Sequence, residues 1–320
     1  MSVTYSTFLW PRSAKQVAYA LRSKHSSPAA VVETTLQRLQ RDRQRIESLL
    51  LGPLRGQRVL ELGPERRLLR ARALAVHNTV TALDHGGTPH RWSDYVTMAR
   101  EEGLGRAVRA LGSKALLIDQ RYCHELRSAM SVKELPKPRV LRGDVCHLPR
   151  KECFDVVCSW SFFEHLADPE AALRAVLDHL APGGVFLLSI HLYTSNTGHH
   201  DIRSQMKGRG QVPLWGHLRP STQHLIAPST HLNHYRLDKW RELFQRLIPD
   251  VSEYQDRLGE SHLRKAMTAE LRRELGAYSD EELFTVELVF TGRKPLATPS
   301  ALSLREHHLL HGQRASCGGV

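Results

Sequence analysis

Short apolar runs alternate with amphipathic stretches through the middle of the chain. Most of these runs are largely apolar, which is typical of parallel strands that are buried on both faces. They occupy residues 59–62, 79–83, 139–141, 154–159, 185–190, 251–254 and 284–291. Stretches with the character of helices lie between them, at residues 68–75, 95–111, 119–130, 169–180, 237–247 and 256–280. Strands and helices in alternation predict an α/β fold with a doubly wound, mostly parallel sheet.

The first of these units, residues 58–84, has the layout of half a nucleotide-binding domain. A strand ends at a tight Gly63-Pro64 turn, a helix follows, and the second strand ends in Asp84. Asp84 lies 21 residues after Gly63, near the spacing of about 20 at which an acid accepts hydrogen bonds from ribose hydroxyls. A βαβ unit is common, so this pattern alone predicts a Rossmann-like domain without naming its ligand.

The first 52 residues are predicted to form an N-terminal helical extension. Ser27 supplies a capping hydroxyl, and Pro28 suits the first position of a helix. We expect this helix to pack on the core domain, and the alternatives are a partner-binding helix or a substrate lid. Residues 53–294 form the main domain, and residues 295–320 are expected to be a flexible basic tail.

The composition is that of a basic protein, with a formal charge of +12 and 19 histidines. Nucleic acid, an anionic membrane or an acidic substrate would be attracted to it, but the basic residues are scattered, so we interpret most of them as solvated surface. No apolar run approaches the roughly 18 residues of a membrane span, and the first residues lack the pattern of a signal peptide. The five cysteines include no CxxC pair, which favours free thiols in the cytoplasm over disulfides or a zinc site.

Two motifs in this chain resemble a known family. Glu61-Leu62-Gly63 resembles the start of E/D-x-G-x-G-x-G, the first motif of class I S-adenosylmethionine-dependent methyltransferases. Residues 154–190 resemble the fourth and fifth strands of these enzymes, with the EHL-x-DP element and the L-x-PGG turn in matching order and spacing. The chain is therefore identified as a member of this family, of the UbiE/type-11-like kind. The resemblance implies a seven-stranded Rossmann-like sheet whose last strand is antiparallel, and S-adenosylmethionine as the cofactor.

The resemblance also implies which residues surround the cofactor. They are Glu61 and Gly63 at its methionine end, Asp84 at the ribose, Asp144 and the Val145 backbone at the adenine, and Ser159 and Ser161 along its edge. Glu65 and Arg67 stand where the family has its second and third glycines, and side chains there crowd the place where backbone approaches the ligand. A second hypothesis is therefore a methyltransferase-like protein that has lost catalysis and serves as a binding or scaffold subunit.

The segment after the fifth strand, HLYTSNTGHHD at residues 191–201, is rich in hydroxyl, amide and imidazole groups. It leaves the same edge of the sheet as the cofactor turn, and we expect Gly198 to give it a flexible joint. The acceptor is expected to bind here, with His199 or His200 as its base or orienting group and Asp201 fixing the ring. Alternatively, the histidines bond backbone groups and hold the shape of the loop.

The predicted reaction is methylation of an oxygen or nitrogen on a small-molecule or glycan-like acceptor. RNA methylation, which the charge alone suggests, is an alternative within the same class of enzyme. The oligomeric state is not predicted by any pattern in the sequence.

Two further groups of residues invite other roles. Glu164 and His165 follow the fourth strand, and we expect Glu164 to cap or orient the next turn and His165 to pack beneath it. His199, His200 and Asp201, with other histidines nearby, are residue types that ligate zinc or iron. Their spacing matches no metal motif, and adjacent histidines on a strand point to opposite faces. No metal site is therefore expected.

Overall fold

The protein was analysed as a computed structural model. The residues that the structure describes are 27–84, 92–101, 118–148, 153–205, 212–228 and 230–294, with Leu104, Ala107 and Leu111. The expected basic tail, residues 295–320, and the first half of the N-terminal extension lie outside the described residues.

Seven strands form a single sheet. They are β1 (Arg58–Leu62), β2 (Thr79–Asp84), β3 (Arg139–Arg142), β4 (Phe154–Trp160), β5 (Leu180–His191), β6 (Ser252–Asp256) and β7 (Glu287–Arg293). Their order is β3-β2-β1-β4-β5-β7-β6. The first five strands in this order are parallel, and β7 runs antiparallel to both of its neighbours. The predicted doubly wound, mostly parallel seven-stranded fold is confirmed.

Helices cover both faces of this sheet. They are α1 (Pro28–Leu50), α2 (Leu69–Ala75), α3 (Trp92–Glu101), α4 (Ile118–Ala129), α5 (Pro169–His179), α6 (Leu237–Leu247), α7 (Glu260–Ala266), α8 (Ala269–Glu274) and α9 (Asp280–Phe284). Short 3₁₀ turns occupy Val145–His147, Phe163–His165, Ile202–Gln205, Gly216–Leu218 and Gln223–Leu225. Within the described ranges, no helix has the length and apolar character that crossing a membrane requires.

Successive residues of β1 supply the two halves of the hydrophobic core. Leu60 and Leu62 face the half that contains α5 and α6, whereas Val59 faces the half that contains α1, α2 and α4. Side chains alternate along a strand, so Glu61 shares the face of Val59. Because both faces of the sheet are covered, the carboxyl edge of the parallel strands is where polar groups converge.

The register of the sheet brings the strand ends into one row. Leu62 pairs with Leu83 on one side and with Ser159 on the other. The main-chain N–H of Gly63 donates to the Leu83 carbonyl at 3.0 Å, and that of Ser161 donates to the Ser189 carbonyl at 2.8 Å. The predicted site residues that follow β1, β2 and β4 therefore lie along the same edge.

Two strands, β5 and β7, begin several residues away from their predicted starts. β5 begins at Leu180, because the Pro-Gly-Gly turn extends the strand instead of ending the helix before it in a loop, and the pairing with β4 shifts register between Phe154 and Val156. β7 begins at Glu287, since the preceding residues form α9. Ser279 caps that helix through a reciprocal pair of hydrogen bonds with Glu282, which favours helix over strand.

Helix α1 is part of the core and starts as the sequence predicts. The Ser27 hydroxyl accepts a hydrogen bond from the Ala30 N–H at 3.1 Å, and Val32 and Ile46 are buried against the sheet half that holds α2 and α4. The helix also buries Asp42, whose carboxylate accepts a hydrogen bond from the Trp160 indole N–H at 2.7 Å. Burial raises the pKa of Asp42, and the hydrogen bond from Trp160 opposes that rise.

The Asp42–Trp160 hydrogen bond gives a test of how α1 is held. Asp42→Ala leaves the buried indole N–H without this partner, so we expect the free energy of unfolding in urea to fall by about 1–3 kcal/mol. Asp42→Asn keeps an acceptor oxygen and should lose less. In a Trp160→Phe background the Asp42→Ala change should lose clearly less stability, and equal losses in both backgrounds would show that the bond contributes nothing.

Candidate active site at the carboxyl edge of the sheet

Glu61 lies next to the end of β1 and is a buried acid. Its side chain is 1% exposed, and neither carboxylate oxygen has a hydrogen-bond partner among the described residues. Burial raises the pKa of Glu61 to about 8, although the charge of Arg70 opposes the shift. A buried polar group of this kind needs a donor or a cation, so the end of β1 is prepared for a positively charged ligand group.

Gly63 makes the turn after β1 and has a positive φ of 61°, which glycine adopts at little cost. A Cβ atom at this position would lie 2.4 Å from Cδ2 of Phe162, which follows β4. Glycine is therefore required here for two reasons: the backbone has a positive φ, and the Phe162 ring leaves no room for a Cβ atom.

Glu65 and Arg67, which replace the two later glycines of the motif, turn toward the protein itself. Glu65 Oε1 accepts hydrogen bonds from the main-chain N–H groups of Leu69 at 3.0 Å and Arg70 at 3.3 Å, at the start of α2. The Arg67 guanidinium lies 3.8 Å from the centroid of the Tyr122 ring and donates to Asp119 at 3.2 Å. Both side chains thus have partners inside the chain.

The other residues assigned to the cofactor lie after β2, β3 and β4. Asp84 ends β2, and Asp144 caps the following 3₁₀ turn by accepting a hydrogen bond from the Cys146 N–H at 2.9 Å. Val145 is buried in the core. Ser159 is buried with its hydroxyl lacking a partner among the described residues. Their positions are those of one ligand-binding edge, and their contacts to the cofactor stay a prediction.

A group of imidazoles occupies the same edge beyond β4 and β5. We call it the imidazole cluster, and its members are His165, His191, His199, His200 and His217. The His200 ring centroid lies 4.9 Å from that of His165 and 4.6 Å from that of His191. The His199 and His217 centroids are 5.3 Å apart. The segment predicted to hold the acceptor thus brings its histidines together with His165 from the loop after β4.

The rings of the imidazole cluster are held neutral. Burial lowers the pKa of His200 to about 2 and the pKa values of His191 and His217 to about 4, and the neighbouring imidazoles add to the effect. Neutral imidazole has one nitrogen that accepts a hydrogen bond or ligates a metal. The cluster is therefore a set of acceptor nitrogens at neutral pH.

The three residues predicted to act on the acceptor have different surroundings. His199 is 2% exposed, and its Nδ1 accepts a hydrogen bond from the main-chain N–H of Asp201 at 2.8 Å. The Asp201 carboxylate instead accepts hydrogen bonds from Arg203 Nε at 2.9 Å and from the Ala227 N–H at 2.9 Å. Asp201 therefore orients a ring through its backbone, and its side chain anchors the loop, which differs from the predicted carboxylate–imidazole pair.

Gly198 is not the flexible joint that the sequence suggests. A Cβ atom there would lie 2.1 Å from the Tyr193 carbonyl oxygen and 2.4 Å from that of Leu192. The turn is closed tightly against the end of β5, and His200, two residues later, has a positive φ of 49°. A non-glycine residue in this region is uncommon and is held there by its surroundings.

Glu164, which we expected to cap a turn, is instead a second buried acid. It is 2% exposed, and its carboxylate oxygens make no hydrogen bond of ordinary geometry to a described residue. Burial raises the pKa of Glu164 to about 8, while the main-chain amides of Glu164 and His191 partly oppose this. The signal available in the sequence was an acid in the turn that follows the best-defined strand.

A separate segment holds the backbone around Glu164. Asn233 donates from its side chain to the Phe163 carbonyl at 2.8 Å and to the Leu166 carbonyl at 3.1 Å, and its N–H donates to the Glu164 carbonyl at 2.9 Å. His165 Nδ1 is hydrogen-bonded to the His231 carbonyl at 2.8 Å. The turn after β4 is thus fixed from outside by residues far along the chain.

Comparison with protein families shows to which family this chain belongs. Residues 33–247 match a family model described as a methyltransferase domain, which is about two thirds of the 320 residues. The chain belongs to the class I S-adenosylmethionine-dependent methyltransferases. The protein is therefore a methyltransferase, and S-adenosylmethionine is its cofactor. No curated protein sequence matches the methyltransferase significantly.

Solved structures that are similar to the methyltransferase share little of its sequence. The YcgJ protein from Bacillus subtilis is 17% identical with a TM-score of 0.41, over 80% of this chain and 97% of that one. The N-methyltransferase NodS from Bradyrhizobium japonicum WM9, in complex with S-adenosyl-L-homocysteine, is 13% identical with a TM-score of 0.38, over 85% and 90%. Phosphoethanolamine N-methyltransferase 2 from Haemonchus contortus, in complex with S-adenosyl-L-methionine, is 13% identical with a TM-score of 0.42, over 80% and 52%. Similarities at this level carry no argument about the acceptor.

The residues at the end of β1 fit the methionine end of the cofactor. That end carries an ammonium group, and Glu61 is an acid whose oxygens lack partners within the described part of the chain. The Gly63 turn next to it has no Cβ to obstruct a ligand. The methyltransferase has thus kept the acid and first glycine of the motif, although its two later glycines are replaced.

Glu61→Gln should affect stability and cofactor binding in opposite directions. The folded pKa of Glu61 is raised to about 8, so stability is full below the unfolded pKa and falls as the pH rises toward the folded one. The variant lacks this loss, and its free energy of unfolding without ligand should exceed that of the wild type by on the order of 2–4 kcal/mol at pH 8. The two proteins should be equally stable near pH 4.

The same variant should bind S-adenosylhomocysteine more weakly, because the charged partner of its ammonium group is gone. We expect a loss of about 1.5–3 kcal/mol in calorimetry. A variant that is no more stable at pH 8, or that binds as tightly as the wild type, would show that Glu61 is not the unpaired acid described above.

Proposed function

We propose that the protein transfers a methyl group from S-adenosylmethionine to an oxygen or nitrogen of a small-molecule or glycan-like acceptor held against the imidazole cluster. One observation carries this proposal: His200, partly exposed, sits between the His165 and His191 rings on the edge where the cofactor turn ends. Neutral ring nitrogens there can accept a hydrogen bond from an acceptor hydroxyl or amine.

The cofactor supplies an electrophilic methyl group when it is bound, and the task of the chain is to hold the reacting groups in line. We infer that Glu61 pairs with the ammonium group and that the Gly63 turn lets the backbone approach. Asp84 would bond the ribose hydroxyls, and Asp144 with the Val145 backbone would contact the adenine. Ser159 and Ser161 would line the remaining edge.

The acceptor roles follow from the surroundings of the histidines. His200 is partly exposed, and the proposal makes it the group that orients the acceptor. Its lowered pKa makes it a weak base, so orientation is its stronger role. His199 is buried and would support the shape of the loop. Asp201 would hold that loop through Arg203 and its own backbone N–H.

Cysteine chemistry supports the proposed cytoplasmic location. Cys123, Cys146, Cys153 and Cys158 are all free thiols. Free thiols are the usual state of cysteine in a reducing compartment.

The function is tested with the full chain and methyl-labelled S-adenosylmethionine. We expect label to be transferred to at least one member of a panel of sugars, amino sugars and phenols, and S-adenosylhomocysteine to bind in calorimetry. Tight binding without transfer to any of them or to RNA would favour the scaffold hypothesis, and transfer to RNA alone would favour an RNA methyltransferase.

Asp84→Ala tests the ribose assignment in the same preparation. Loss of a hydrogen bond to a charged group should weaken S-adenosylhomocysteine binding by about 1.5–3 kcal/mol. Thermal unfolding should change little, since Asp84 lies at the strand end and is only half-buried. Full affinity in a folded variant would show that Asp84 does not bind the ribose.

His200→Gln and His199→Gln separate the acceptor role from the structural one. His200→Gln should lower turnover by roughly 100-fold, the scale expected when a reacting group is misplaced, at unchanged affinity for S-adenosylhomocysteine. His199→Gln should act mainly on thermal stability, because its buried ring accepts the Asp201 N–H. Full turnover in His200→Gln would end the proposed acceptor role.

A further inference from the structure

Three side chains of the candidate site converge from separate segments. Glu164 follows β4, His191 ends β5, and His200 lies in the loop beyond it. One potential ligand atom from each lies within 4.8 Å of the other two. We call these three residues the Glu-His-His triad. Neighbouring rings of the imidazole cluster, such as His199 and His217, lie outside this group.

The carboxylate of the triad is an independent sign that a ligand belongs here. Glu164 is almost fully buried, and no described residue gives either oxygen a hydrogen bond of ordinary geometry. Arg38 reaches this region from α1, but its guanidinium pairs with Glu287, which also accepts a hydrogen bond from Ser189 at 3.2 Å. His165 Nε2 lies 3.9 Å from Glu164 Oε1, which is too far for a hydrogen bond. A buried carboxylate to which no described residue donates a hydrogen bond is costly, and a bound cation would remove the cost.

The surroundings fix the triad in the way that metal ligands are usually fixed. His191 Nε2 is hydrogen-bonded to Thr197 Oγ1 at 2.9 Å, which sets the orientation of the ring. The Glu164 backbone is clamped by Asn233. His200 is held at a positive φ by the closed turn at Gly198. Hydrogen bonds to the outer side of ligands orient them and tune the site.

We propose that the Glu-His-His triad binds one divalent first-row transition metal ion, with open coordination positions for an oxygen of the acceptor. Two imidazoles and one carboxylate are a donor set that suits zinc and iron and leaves room for a further ligand. In an occupied tetrahedral site, ligand atoms stand roughly 3.3 Å apart, so from 4.8 Å or less small side-chain rotations close the site. One carboxylate and two neutral rings leave a net positive ion that attracts an anionic oxygen.

The role of the ion rests on the proposed function, whereas its binding does not. An acceptor hydroxyl on the ion has a lowered pKa and loses its proton to solvent. Its oxygen then forms the bond to the methyl carbon while the carbon–sulfur bond breaks, and that electron pair stays on sulfur. His200 would then act on the acceptor through the ion.

Titration of Co²⁺ into the full chain after treatment with a chelator tests the binding. We expect one Co²⁺ per chain by calorimetry, with visible absorption typical of nitrogen and oxygen ligands and no intense thiolate band in the near ultraviolet. Glu164→Gln and His200→Gln should each weaken binding at least 10-fold. His224→Gln alters an exposed histidine outside the triad and should bind as the wild type does.

Glu164→Gln keeps the shape of the side chain and replaces a buried acid with a neutral amide, so it should unfold at a temperature no lower than that of the wild type without metal. If it fails to fold, His200→Gln carries the same test. Equal Co²⁺ affinity in wild type and the triad variants, a thiolate band, or binding that only His224→Gln abolishes would overturn the inference.

The experiments test the metal site and the proposed function independently. Methyl transfer that persists in the presence of chelator, with no Co²⁺ bound at the triad, would overturn the metal site and leave the function standing. Co²⁺ bound at the triad, together with transfer to none of the tested acceptors, would support the site and count against the proposed acceptor class.

Discussion

The carboxyl edge depends on one constraint, an acid that is buried at the end of a central strand and receives no hydrogen bond from any described residue. Glu61 lies in β1, between β2 and β4, and its side chain is 1% exposed. Its charged form is costly there and is stabilised when a cation reaches it. Glu164 repeats the arrangement beyond β4. The edge is therefore less stable in the empty protein than apolar residues would make it, and ligands are what relieve it.

The N-terminal helix takes part in this arrangement through a chain of contacts. Asp42 in α1 holds the Trp160 indole, and the Arg70 guanidinium lies 4.9 Å from the centroid of that ring. The charge of Arg70 in turn lowers the pKa of Glu61 against the effect of burial. The family model also begins inside this helix, at residue 33. Helix α1 is thus better understood as part of the catalytic fold than as an extension added to it.

The sequence predicts the sheet because strand and helix patterns depend on local periodicity and on the glycine and proline residues between them. It also predicts which residues end at the carboxyl edge, since that follows from the direction of parallel strands. It does not predict that Glu164 is buried with no hydrogen bond to its carboxylate from a described residue, because Asn233 and His231, which fix its turn, are about 65–70 residues away. The sequence also predicts that the Asp201 carboxylate pairs with an imidazole, whereas in the structure this carboxylate accepts a hydrogen bond from Arg203.

The replaced glycines change which groups of the motif are available to a ligand. A helix that starts at a glycine-rich turn offers its first N–H groups to an anionic ligand group. Here the Glu65 carboxylate already accepts the N–H groups of Leu69 and Arg70, so those donors are occupied by the chain. An anionic group of the cofactor gains nothing from them. Under the proposed function the attraction comes from the cationic group instead, and it is provided by Glu61, whose oxygens receive no hydrogen bond from any described residue.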